Sequence, residues 1–220
     1  WAKKRLQPRE HGHAVGAKKF KEIVQHCADI GVEYVTVYAF STENWKRPKK
    51  EVDAIMQLFR DYIREAIRDF EKKDIRILFI GNRDVFDDDL KNEMEKAEKL
   101  TADRHKTLCI AINYGGRDEL VRAAKKLAES IARGELAPED INEASVNSFL
   151  DTAGIPDPDL LIRTSGEMRL SNFLLFQSAY AEFFFSPVLW PDFGPRELRL
   201  ALDSYAARTR RFGKTDEQLR

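Results

Sequence analysis

The sequence contains no Gly-x-x-x-x-Gly-Lys-Ser/Thr, no Gly-x-Gly-x-x-Gly and no Gly-x-Ser-x-Gly. That removes the P-loop, the dinucleotide-binding turn and the hydrolase nucleophile elbow as readings. It has no excess of either charge: Lys+Arg and Asp+Glu both total 37 in 220 residues. No global basic field therefore points to nucleic acid, and any anion binding must come from local clusters. It has two cysteines, Cys27 and Cys109, both inside apolar runs and without paired Cys or His spacing. They read as buried free thiols of a reducing compartment, the cytoplasm, not as a disulfide or a metal site. No apolar stretch approaches the roughly 20 residues of a membrane span, and nothing in the sequence reads as a signal peptide, so none is expected.

What is present is an alternation of two hydrophobic periods. Val15, Phe20, Ile23, Val24 and Cys27 recur at helical steps, and Val52, Ile55, Phe59, Tyr62, Ile63, Ala66, Ile67 and Phe70 mark a longer amphipathic helix. Further helical patterns run through Leu90–Leu100, Leu120–Ile131, Val146–Leu150 and Glu197–Arg211. Between them lie β-branched or apolar runs at Tyr34–Tyr38, Ile75–Ile80, Leu108–Ile112 and Leu160–Ile162, with another inside Glu182–Ser186. Asp87-Asp88-Asp89 reads as a helix start, where acidic side chains complement the dipole. Short links and no low-complexity tract predict an α/β fold, residues 1–220 as a single domain, with a mostly parallel central sheet flanked by helices. Ligands in such folds sit at the carboxyl ends of strands.

Three segments at or near those ends carry unusual chemistry. Phe40-Ser41-Thr42-Glu43-Asn44-Trp45-Lys46-Arg47-Pro48 packs hydroxyls, an amide, a carboxylate, cations and a large aromatic into nine residues. It is either a solvated connection or a lid over a substrate. The opening segment, with Arg9, His11, Gly12, His13 and Gly16, precedes a helix on this reading, and is either a surface turn or an anion site. In Arg163-Thr164-Ser165-Gly166-Glu167-Met168-Arg169-Leu170-Ser171-Asn172, two guanidiniums and a hydroxyl leave a strand and enter a turn before a short apolar helix. They suit a diphosphate, since arginine forks match phosphate oxygens; arginines paired structurally with Glu167 are the rival. Glu182 stands in an aromatic run and needs a partner there, an arginine or a bound cation.

Six strings in order resemble the cis-prenyltransferases, most closely the bacterial undecaprenyl diphosphate synthases. They are Gly12-His13-Ala14-Val15-Gly16, Tyr38 to Trp45, Asn113-Tyr114-Gly115-Gly116-Arg117, Ile162 to Asn172, Leu189-Trp190-Pro191-Asp192-Phe193 and Arg211-Phe212-Gly213. The aspartate run at 87–89 does not have the Asp-Asp-x-x-Asp form of the trans-prenyltransferases. The resemblance implies magnesium-dependent, repeated addition of isopentenyl diphosphate to an allylic diphosphate, usually farnesyl. The product would be a long polyprenyl diphosphate such as undecaprenyl diphosphate, the lipid carrier precursor of cell-wall glycan synthesis.

By the same resemblance, Trp1, Arg9 and His13 would help hold the allylic diphosphate. Arg163, Arg169, Ser171 and the Leu170 backbone would grip isopentenyl diphosphate. Ser41, Thr42, Glu43, Trp45 and Arg47 would line or cover the site. Asn44 matches the residue assigned to proton removal. An amide is a poor base, so its expected part is to orient the proton toward an acceptor such as a diphosphate oxygen. Glu182 matches the family's magnesium-associated glutamate, and the ion would neutralise the leaving diphosphate.

The helix from Val52 to Phe70 would wall a tunnel for the growing chain. Arg211-Phe212-Gly213 implies a homodimer, and the greasy product a transient association with a membrane surface. The family also carries Met-Asp-Gly-Asn-Gly-Arg just before the residue matching Trp1, with an aspartate for magnesium. That motif is expected upstream of this sequence. Met168 departs from the histidine of some relatives, a thioether being a poor magnesium ligand. The alternative is a non-catalytic subunit, from which the retained Asn44, Arg47, Arg163, Arg169 and Ser171 argue away.

Overall fold

In the computed structural model, which describes residues 1–69 and 74–211 with the side chains of 66–69 left aside, the first element is a long helix, α1, Arg9–Asp29. It runs into β1, Tyr34–Ser41. A 3-10 turn over Thr42–Lys46 leads to α2, Lys49–Asp69. There follow β2 (Ile75–Ile80), α3 (Asp88–Leu100), β3 (Lys106–Tyr114), α4 (Gly116–Ala132) and α5 (Glu143–Phe149). The chain continues through β4 (Leu160–Arg163), β5 (Glu182–Phe185) and α6 (Pro195–Ala206).

All strand pairings are parallel. β3 lies between β1 and β2, and β4 pairs with β5 in a second, two-stranded group. The α/β architecture with parallel strands and flanking helices agrees with the alternating periods of the sequence. β3 is the middle strand of its sheet, and eight of its nine residues are buried. That is why its sequence is continuously apolar instead of alternating.

The two faces of this sheet are covered differently. Ile75, Ile77, Phe79, Leu108, Ile110 and Ile112 pack against Val24 and Ala28 of α1, Val52, Phe59, Tyr62 and Ile63 of α2, and Leu90 and Met94 of α3. Ile63, Ile77, Leu108 and Met94 are completely enclosed, each contributing on the order of 1.5–3 kcal/mol. So the inner residues of α2 that are described are core side chains packed on the sheet. Ala66, Ile67 and Phe70 of the expected stripe fall outside the description of side chains. On the opposite face Ile80, Cys109, Ala111 and Tyr114 meet Leu174, Phe173 and Ile155.

Helix ends follow local chemistry. Asp87 caps α3 by accepting from the Leu90 amide at 2.9 Å, as the aspartate run predicts. Cys27 and Cys109 are buried free thiols, and burial pushes them up to about 11 and about 12. Among the described residues, no helix is long and apolar enough to cross a membrane.

Candidate active site

Three expectations about local structure need correction. Arg9, Gly12 and His13 do not precede a helix; they form the first two turns of α1 after Pro8. The glycines that suggest a loop serve close packing instead. A Cβ on Gly12 would sit 3.3 Å from the Ala2 Cβ, and one on Gly16 would sit 3.2 Å from the Trp190 ring. The stretch after Ser171 is not a short apolar helix but a run of turns. Ser171, Asn172 and Leu174 all have positive φ, a left-handed conformation that no α-helix accommodates. The last helix ends at Ala206, short of Arg211, and Phe212 and Gly213 lie outside the described residues.

At the carboxyl end of β1 the polypeptide is pinned at three points. The Trp45 indole N–H donates to Asn113 Oδ1 at 2.7 Å, and its ring meets Phe40 edge-on. Asn113 is buried with φ 46°, and its amide donates to the Asn82 carbonyl at 2.8 Å. The Asn172 amide donates to Glu43 Oε1 at 2.8 Å. Asn172 also receives the Gly116 and Arg117 amides, at 2.7 and 2.9 Å, on its backbone and side-chain oxygens. Gly115 is needed at this junction: a Cβ would lie 2.7 Å from both Thr42 Oγ1 and Asn172 Nδ2. Within the turn, the Ser41 amide donates to Asn44 Oδ1 at 3.1 Å, which fixes the orientation of that side chain. Burial opposes ionisation of Glu43, but the Asn172 amide and its own turn outweigh it and hold the carboxyl below the usual range.

The third pin is electrostatic. Glu51, in the first turn of α2, is buried and accepts from Arg9 Nη1 at 3.0 Å and from Arg47 Nη1 at 3.2 Å. His13 Nε2 lies 3.4 Å from the same carboxylate. Burial resists the charge on Glu51, yet the Arg9 hydrogen bond and the Arg47, Arg9 and His13 charges draw its pKa below the ordinary value. The structure thus brings together two of the expected allylic-site residues, Arg9 and His13, with Arg47 of the covering segment. Trp1 docks nearby. Its indole N–H donates to Asp192 at 2.7 Å, Arg5 lies over its ring at 4.2 Å, and its edge approaches Gly12.

The two arginines after β4 differ. Arg163 is half-buried at the end of β4 and, among the described residues, has no ion-pair partner. Arg169 is exposed and paired with Glu167, the structural arrangement that the sequence left open. The turn between them is locked by the Ser165 and Gly166 amides on the Val188 and Ser186 carbonyls, at 2.8 and 2.9 Å. Leu170 and Ser171 follow directly and lead into Asn172, so the bridge to Glu43 brings this turn against the Ser41–Lys46 segment.

Glu182 resolves its need for a partner through an arginine: Arg208 donates to it at 2.7 Å. It shares a surface pocket with Tyr180, Ala181, Arg210 and Arg211, the described end of the carboxyl-terminal motif. Among the described residues no group of three His, Cys, Asp or Glu is placed to hold a metal. A magnesium ion at Glu182 would have to displace Arg208. The described residues do not by themselves fit a resident ion.

A family model described as "Putative undecaprenyl diphosphate synthase" matches residues 1–213. The chain belongs to this isoprenyl transferase family. It is 46% identical over 220 residues to an isoprenyl transferase of Agrobacterium fabrum, covering all of this chain and 89% of that protein. It is 48% identical over 214 residues to one of Clostridium perfringens, covering 97% and 85%. Among solved structures it is similar to lavandulyl diphosphate synthase of Lavandula x intermedia in complex with dimethylallyl diphosphate. There the TM-score is 0.93 at 37% identity, covering 97% of this chain and 93% of that one. Against the structure described as a probable undecaprenyl diphosphate synthase of Campylobacter jejuni, the TM-score is 0.80 at 36% identity, covering 91% and 93%.

Within this isoprenyl transferase fold, reasoning from sequence misses Glu51, Asn113 and the bridging part of Asn172. Glu51 sits at the solvent-exposed, lysine-rich start of an amphipathic helix, where a carboxylate is expected for the helix dipole alone. The available signal was its spacing from Arg47, four residues earlier across the turn into α2, near enough for an ion pair.

Proposed function

We propose that the chain is a cis-prenyltransferase that condenses isopentenyl diphosphate repeatedly onto an allylic diphosphate, farnesyl diphosphate first. The reading is carried by one observation. The Ser41–Arg47 segment is tied at Glu43 to Asn172, beside Arg169 and Ser171, and at Arg47 to Glu51, beside Arg9 and His13. One short segment therefore spans two separate groups of anion-binding side chains, as a reaction joining two diphosphates requires. Holding the two reactants in fixed register converts a bimolecular encounter into a near-unimolecular step.

In this reading Arg9, His13 and Arg47 take up the charge that develops as the allylic carbon–oxygen bond breaks. Arg163, Arg169, Ser171 and the Leu170 amide hold isopentenyl diphosphate, whose terminal methylene carbon bonds to the allylic carbon as the allylic diphosphate leaves, and whose C2, two carbons away, gives up a proton as the double bond moves to C2–C3. Asn44, held by the Ser41 amide, orients that proton toward a diphosphate oxygen. Magnesium, by family resemblance, accompanies the diphosphate and offsets its charge. Glu182 would become a protein contact only on releasing Arg208. Magnesium ordinarily keeps few protein ligands when phosphates are present.

The proposal extends to a product of undecaprenyl class that feeds cell-wall glycan synthesis, to a homodimer, and to a cytoplasmic protein that meets the membrane surface when product leaves. Transfer of label from isopentenyl diphosphate into extractable lipid by the full-length protein tests it.

A further inference from the structure

Glu51 differs from Asp151, a partly buried carboxylate that also engages an arginine. Asp151 grips Arg122 with both oxygens, at 2.6 and 2.5 Å, the closed fork-on-fork arrangement of a structural pair. Glu51 instead spreads its two oxygens over three basic groups. Oε2 takes one N–H of Arg9, and Oε1 takes one N–H of Arg47 and lies against His13.

Each contact therefore uses only part of the capacity of its partner. The Arg9 side chain is 76% exposed with a single nitrogen engaged, so most of its five N–H donors remain available. His13 Nε2 is buried without a hydrogen bond, though it lies 3.4 Å from Glu51 Oε1. One negative charge against two guanidiniums leaves the cluster positive. Its bases come from different elements, α1 and the segment after the 3-10 turn, and among the described contacts it is Glu51 that they share.

We propose that Glu51 is a positioning residue of the allylic diphosphate site: it tethers Arg9, Arg47 and His13 at their inner edges and leaves their outer donors aimed at an incoming diphosphate. This rests on the assignment of Arg9 and His13 to that substrate. Removing the negative charge makes the cluster more positive, so simple Coulomb attraction predicts tighter diphosphate binding for Glu51→Gln. Positioning predicts the reverse, because arginines released from the tether lose orientation before the substrate arrives. The sign of the effect separates the two.

The test is the KM for farnesyl and for isopentenyl diphosphate, with thermal stability, in full-length Glu51→Gln, Arg9→Ala and the double variant. The expected result is a roughly tenfold rise in the farnesyl diphosphate KM of Glu51→Gln, the scale of one misplaced charge-assisted hydrogen bond. Its isopentenyl diphosphate KM stays within about twofold. In Arg9→Ala, Glu51 still holds Arg47 and lies against His13, so the double variant is expected to be worse than Arg9→Ala but by less than the product of the two single effects, because the part of the Glu51 effect carried by Arg9 is already lost. If Glu51→Gln does not fold, Glu51→Asp, which keeps the charge and shortens the reach, is read by the same cycle. A lowered or unchanged farnesyl diphosphate KM, an equal rise for both substrates, or independent effects in the double variant would overturn the inference. An unmodified protein without turnover overturns the functional reading itself, and the inference with it; an active one with Glu51→Gln unaffected overturns the inference alone.

Discussion

Asn172 and Glu43 stand 129 residues apart in sequence and are joined by a 2.8 Å hydrogen bond between the amide of one and the carboxylate of the other. Because Asn172 also accepts the Gly116 amide on its backbone oxygen and the Arg117 amide on its side chain, one residue joins the segments that follow β1, β3 and β4. That junction fixes how the Ser41–Lys46 turn sits against the turns after β4.

Replacing Asn172 with Ala should therefore slow the reaction more than it destabilises the fold. The lost hydrogen bonds are partly exposed and cost about 1 kcal/mol each at most. Loss of register between the two sites should lower kcat/KM by roughly tenfold or more. Steady-state kinetics beside urea unfolding checks this, and an Asn172→Ala variant with wild-type kcat/KM would show the bridge to be dispensable.

Gly115→Ala tests the same junction from the other side. The backbone there is extended, with φ −162°, so strain is not the issue. The added methyl collides with Thr42 and Asn172 at 2.7 Å. Overpacking of this kind costs about 1–3 kcal/mol, and activity should fall with it. A variant with unchanged melting temperature and kinetics would mean that the junction yields freely.

Arg163→Ala and Arg169→Ala should both raise the KM for isopentenyl diphosphate. Arg163 has no ion pair among the described residues, so its loss should leave stability within about 0.5 kcal/mol, the range of neutral surface changes. Arg169 and Glu167 are exposed, and their pairing is worth little to the fold. An unchanged KM for either variant would assign that arginine a structural role.

Most of the fold was legible because it rests on periodicity. β3 is a continuous apolar run and α2 a clear amphipathic stripe, and each appears where its period falls. The second turn of α1 was not legible, because Gly12 and Gly16 read as loop residues. Their reason lies in Ala2 and Trp190, partners that only tertiary packing brings near. The turns after Ser171 were missed for the opposite cause: Phe173, Leu174, Leu175 and Phe176 look helical. The left-handed backbone that points Asn172 at Gly116 and Glu43 overrides that propensity. The residues proposed for the site stand out in the sequence as family motifs. Glu51 does not, because a buried carboxylate at the head of a charged helix resembles an ordinary surface one until its neighbours are known.

A pH dependence follows from Glu119, buried beside β3. Burial pushes its carboxyl above the usual range, outweighing the Tyr114 and Gln177 hydrogen bonds it accepts. The unfolded chain ionises near pH 4.3. With a raised native pKa, the stability linked to Glu119 is complete below that pH. It is lost as pH rises through the native value. The advantage of the wild type over Glu119→Gln should therefore shrink from acid toward neutral pH in denaturant unfolding. An advantage that grows over the same interval would reverse the assignment.

The central claim is that two diphosphate sites, spanned by the Ser41–Arg47 segment, join two isoprenoid diphosphates. Its most direct test incubates the full-length protein with farnesyl diphosphate, radiolabelled isopentenyl diphosphate and magnesium, then separates the extracted lipids by chain length. Labelled polyprenyl products many units longer than farnesyl are the predicted result. No extractable label at any magnesium concentration would contradict it.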